Sequence, residues 1–232
     1  MSDLAATANS QAPTASRKAG GIVLAGLGLL LLITGPWFFY PGFLMKAMCF
    51  ALFASAYNLI FGFGGLLSFG HAAFFGGGAY VAGHAAKVWG FPPEFMLLTG
   101  AVVGMLLGAL FGVFAIRRQG IYLAMVTLAF AQMVYFLALR APFTGGEDGL
   151  QGIPRGHLFG LIDLNDMDTM YYFLATVFVL VVMLIVRIVN SPFGQALKAV
   201  RDNELRAASL GYDVNMVKLQ AFVLSAMLSG LA

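Results

Sequence analysis

Residues Met170–Val189, MYYFLATVFVLVVMLIVRIV, form an apolar run of about the 20 residues that an α-helix needs to cross a ~30 Å hydrocarbon core. Similar runs occur at Gly20–Phe39, Phe43–Phe61, Phe95–Ile116 and Ile121–Leu139, and another begins at Met216 and continues to Ala232. Hydrophobic residues make up 60% of the chain and charged ones only 10%, with a mean hydropathy of +0.88. A soluble domain carries roughly 25% charged residues, because it must clothe itself for water. Lipid is therefore the solvent for much of this chain. The expected fold is all-α: a polytopic transmembrane helical bundle, here taken as one domain over residues 20–232. Residues 1–19, rich in Ala, Ser and Thr, read as a disordered cytoplasmic tail. No small-residue cleavage site follows the first run, so it reads as a retained span rather than a signal peptide.

The stretch Gly62–Ala86, GFGGLLSFGHAAFFGGGAYVAGHAA, differs from its neighbours. It holds eight glycines, and each costs a helix about 1 kcal/mol relative to alanine. Backbone broken at membrane depth survives only inside protein or beside a water-filled cavity, so this segment is expected within the bundle as a broken crossing. With the tail cytoplasmic and this segment crossing, Arg17, Lys18, Arg117, Arg118, Arg187, Lys198, Arg201, Arg206 and Lys218 lie inside. Only Lys46, Lys87, Arg140 and Arg155 lie outside, as the positive-inside rule requires.

Two hydrophilic stretches interrupt the apolar pattern. The external loop 141–168 is turn-rich, and its Gly, Pro and acidic residues suit a docking surface better than a metal site. The cytoplasmic loop 190–215 opens with Ser191-Pro192, a helix start with proline at the first position. From Phe193 to Leu210 apolar residues recur mostly at three- and four-residue steps, and Gly211 follows as a C-cap. This spells a short amphipathic cytoplasmic helix of mixed charge, suited to a protein groove rather than to anionic lipid.

Four blocks then occur in one order: Tyr57–Tyr80 (YNLIFGFGGLLSFGHAAFFGGGAY), Gly120–Phe130 (GIYLAMVTLAF), Thr144–Pro154 (TGGEDGLQGIP), and Ser191–Asp213, which holds SPFG and NELRAASLGYD. Together they resemble the M-type permease subunit of branched-chain amino acid ABC importers, over about three quarters of the chain. The resemblance implies an inner-membrane complex with a homologous H-type permease subunit, two cytoplasmic ATPase subunits and a periplasmic substrate-binding protein. It also implies that Glu204, Ala207, Ala208 and Gly211 belong to the coupling segment that meets an ATPase. Members of that family continue through further spans, so the chain is expected to be C-terminally incomplete.

No G-x-x-x-x-G-K-[ST] loop occurs, so energy must come from a partner or an ion gradient. No Ser-His-Asp order, carboxylate pair or cluster of metal ligands points to an enzyme or a bound cofactor. A substrate path is expected along Gly64, Gly65, Ser68, His71, Gly76 and Gly77, where unwound backbone can bond a zwitterion. His71 has two readings, as a group lining that path or as a partner in an interhelical hydrogen bond. An ion-coupled secondary transporter needs an intramembrane carboxylate, and none of the ten acidic residues sits deep in a span. Urea or short amides are alternative cargoes within the importer class.

Overall fold

The computed structural model describes residues 15–118, 120–154, 156–158 and 162–232. Among these, nine α-helices carry the fold: α1 Ala15–Phe38, α2 Pro41–Asn58, α3 His71–Trp89, α4 Pro93–Ala115, α5 Ile121–Arg140, α6 Met167–Asn190, α7 Pro192–Asp202, α8 Glu204–Ser209 and α9 Val214–Leu231. The first fourteen residues of the expected tail lie outside the described residues, and α1 begins at Ala15. Five helices, α2 with its continuation to Phe63, α4, α5, α6 and α9, are long and apolar enough to cross a membrane. At 19 residues, α3 is also of spanning length, about 28 Å at 1.5 Å per residue. Proline opens α2, α4 and α7, where its missing N–H removes a donor that would have no helical partner.

The break expected within Gly62–Ala86 lies at its start. Helix α2 loosens into a π-turn at Leu59–Phe63, and regular structure resumes only at His71. From there α3 is continuous through Gly76, Gly77 and Gly78, because neighbouring helices rather than propensity hold it. Small residues set its closest approaches. A Cβ on Gly78 would lie 2.6 Å from the Gly230 carbonyl oxygen.

The tightest interface joins α4 to α9. Gly100, Gly104 and Gly108 recur at four-residue spacing on one face of α4, against Gly230 and Ala226 of α9. A Cβ on Gly100 would meet the Gly230 carbonyl oxygen at 2.5 Å, and one on Gly104 would collide with the Ala226 carbonyl oxygen. Small residues thus let two backbones touch, the usual means of helix association in lipid, where apolar side chains gain nothing by leaving the solvent. Beside this interface Ile60, Phe74, Phe111, Leu123 and Phe222 form one core, and Leu52, Leu59, Val181, Ile185 and Leu228 a second. Helix α9 contributes to both.

The α5–α6 loop is anchored to the far half of α3. His84 Nδ1–H donates to the Phe143 carbonyl oxygen at 3.1 Å, and Lys87 Nζ donates to that of Gln151 at 2.9 Å. A two-stranded ribbon, His157–Leu158 (β1) against Ile162–Asp163 (β2), projects from it. There the Asn165 N–H bonds the Asp163 carboxylate at 2.9 Å and holds it below the usual carboxylate range.

Candidate functional site

Three features involve residues singled out by the sequence: a buried polar node, a cleft between helices, and the α6–α9 connection.

The node forms where α2, α3 and α9 meet. Ser225 has one hydroxyl proton, and it goes to the Ala56 carbonyl oxygen at 2.6 Å. The Ser225 oxygen must then accept from His71 Nε2–H, at 2.8 Å. A neutral ring leaves Nδ1 as an acceptor, and the Ser68 hydroxyl donates to it at 3.1 Å. Ser68 in turn accepts from the Gly70 N–H at 3.2 Å. Every group in the chain is satisfied with His71 neutral, as burial away from water demands. The rings of Tyr57, Phe74 and Phe222 enclose the imidazole, each edge-on. One residue earlier, the Phe69 N–H donates to Thr127 of α5 at 3.1 Å, so the node ties four helices together. His71 thus makes the interhelical hydrogen bond of its second reading, and Ser68 is bound into the same chain of bonds.

The other path residues are dispersed. Gly64 and Gly65 lie beneath α7, where a Cβ on Gly65 would sit 2.7 Å from Arg201 Cγ and where φ is +67°. Only glycine combines that left-handed backbone with so close a neighbour. Gly76 and Gly77 line a cleft of 310 Å³ between α3 and α5.

The α6–α9 connection contains two helices where one was expected. Asn203, extended at φ −161°, separates α7 from α8, and its side chain accepts from the Arg206 N–H at 3.0 Å to cap the second helix. The polar Asn side chain competes for backbone donors, and that competition ends the longer amphipathic pattern. Ser191 likewise caps α7, and Asp213 caps α9. Gly211, at φ +91°, terminates α8 as expected: its N–H reaches Ala208 and the Tyr212 N–H reaches Ala207, a Schellman arrangement.

Two polar clamps fasten this unit to the bundle. Arg201 Nη1 donates to the Gly62 carbonyl oxygen at 2.7 Å, with Lys198 over the Phe63 ring. Glu204 accepts from Lys218 Nζ at 2.5 Å, and the Lys218 side chain is 4% exposed. Ala207 also faces inward. Ala208, Gly211, Leu205 and Leu210 face outward, the two leucines being 85% and 71% exposed.

The sequence profile of the family described as "Branched-chain amino acid transport system / permease component" matches residues 40–232. The chain belongs to this family. Among curated proteins, this permease chain is similar to the high-affinity branched-chain amino acid transport system permease protein LivM of Salmonella typhimurium. The two are 30% identical over 80% of this chain and 49% of the relative. The LivM protein of Escherichia coli is 29% identical over the same shares. The permease chain thus spans about half the length of the curated relatives it matches. No solved structure gives a significant match.

Ser225, Arg201 and Lys218 are the site residues that sequence reasoning did not single out as partners. Nothing local marks Ser225, which lies 154 positions from His71. Lys218 did carry a signal: a lysine four residues inside an apolar helix requires a counter-charge.

Proposed function

We propose that this permease chain is a membrane-spanning subunit of an ATP-driven importer of branched-chain amino acids in the bacterial inner membrane. Its N-terminus and α6–α9 connection lie in the cytoplasm, and the α5–α6 loop faces outward. Its partners in this reading are an H-type permease subunit, two cytoplasmic ATPase subunits and a periplasmic substrate-binding protein.

One observation carries the reading beyond the family. The α7–α8 unit is capped at Ser191, Asn203 and Asp213 and pinned by two clamps, yet it points Leu205 and Leu210 into solvent. Exposed apolar residues on a rigid, polar-flanked helix mark a protein contact. An ATPase closing on nucleotide would push this unit. Arg201 would carry the displacement to the α2–α3 connection, and Glu204 would carry it through Lys218 to α9. Both routes lead to the node, since α3 begins at His71 and Ser225 lies seven residues, two helical turns, beyond Lys218. Ala207 supports the lever from behind, Glu204 clamps it to Lys218, and Ala208 and Gly211 lie on its outward face.

The test is uptake of labelled leucine into proteoliposomes. The complete complex transports only with ATP, and this chain alone transports nothing. Ion-driven uptake by the chain alone overturns the reading.

A further inference from the structure

We propose that the cleft between α3 and α5 is a solute site, in which Gln132 holds the charged end of a free aliphatic amino acid. The proposal rests on the importer reading and goes further, by naming where the cargo sits.

Helices α3 and α5 run side by side in the same direction, because Phe69 bonds Thr127 near one end and His84 bonds Phe143 near the other. Gln132 is the twelfth of the twenty residues of α5, which places it close to the middle of the span. Its side chain is exposed and makes no hydrogen bond to any described residue. An amide facing hydrocarbon with no partner is costly, so this face meets something polar in the assembled protein.

What surrounds Gln132 says what that is. It opens into the 310 Å³ cleft, together with Ala72, Gly76 and Tyr80 of α3 and Leu128 and Tyr135 of α5. That volume is at the lower end of the range for small-molecule sites, suited to one small solute and a few waters, and far short of a helix. No lining residue carries a formal charge, which disfavours a net ion and admits a net-neutral zwitterion. The amide of Gln132 offers both a donor and an acceptor, one for a carboxylate and one for an ammonium group. Tyr80 and Tyr135 also line the cleft, and the remaining walls are apolar, as a branched aliphatic side chain requires.

Gly76 is the second, independent sign. A Cβ there would meet nothing within 4 Å, unlike Gly77 beside it, where a Cβ would touch Leu107 at 2.9 Å, or Gly78, which packs on Gly230. Packing does not require glycine at position 76, and helix propensity disfavours it. The absent side chain keeps the cleft open.

The experiment uses the assembled complex in proteoliposomes with labelled L-leucine, after ATP dependence of the wild type has been established. Gly76→Leu should assemble at the wild-type yield and lose at least tenfold in uptake. Gln132→Leu should raise KM for leucine at least tenfold and change the maximal rate much less. Gly76→Cys in a Cys49→Ala background should react with a water-soluble maleimide and be shielded by leucine. Unchanged uptake and KM in both leucine variants, or a maleimide reaction that leucine leaves unaltered, overturns the site. Loss of assembly in Gly76→Leu also overturns it, because the cleft would then seat a helix of a partner subunit. ATP-independent uptake by the wild type defeats the importer reading itself, a result separate from any of these.

Discussion

Removing either end of the Glu204–Lys218 pair should not cost the same. Lys218 Nζ lies 2.5 Å from Glu204, and its side chain is 4% exposed, against 39% for Glu204. Glu204→Gln strips the carboxylate from a buried ammonium group that water cannot reach. Orphaning a buried charge costs about 3 kcal/mol or more, roughly a hundredfold in the folded-to-unfolded ratio. Lys218→Met removes the buried charge itself and keeps its volume, while water solvates much of the remaining carboxylate. That change should cost about 1 kcal/mol or less. The double variant should resemble Lys218→Met, so that the second substitution rescues the first. The assay is reversible unfolding of the purified chain in mixed micelles of mild and denaturing detergent, with all three variants compared at one lipid ratio. Equal losses in the two single variants, or a double variant no better than Glu204→Gln, would refute the reasoning, because burial asymmetry would then not govern the pair.

Other consequences are open to the same kinds of measurement. Gly104→Leu drives a side chain into the Ala226 carbonyl and within 3.0 Å of Gly230 Cα, both backbone, and should lose about 2–3 kcal/mol in the micelle assay. Ser225→Ala leaves His71 Nε2–H without its acceptor and the Ala56 carbonyl without its extra donor, for a loss of about 1–3 kcal/mol. Cysteines at Asn165 and Ser209 should be labelled by impermeant reagents from opposite sides of the membrane; labelling from one side would invert the topology.

The five long apolar helices were legible because spanning length in lipid is a stringent criterion, which runs such as Met170–Val189 meet. The glycines of the expected path do three different jobs. Gly65 lacks a side chain for the sake of its backbone and Arg201, Gly77 for Leu107, and Gly76 for no neighbour at all. Composition cannot separate these, since each depends on what another helix brings to the position. The ladder Gly100, Gly104, Gly108 had a readable four-residue spacing, but its partner on α9 is more than a hundred positions away. The division at Asn203 falls where the apolar period lengthens to five residues, from Val200 to Leu205, a gap obscured by the shorter steps on either side. A single capping side chain outweighed the pattern.

The most direct test of the account is a photo-crosslinking residue at Leu205 in membranes containing the complete transporter. The account predicts capture of a nucleotide-hydrolysing subunit, with a yield that changes when ATP is added. Labelling of lipid alone, or of a protein on the outer side of the membrane, would contradict it.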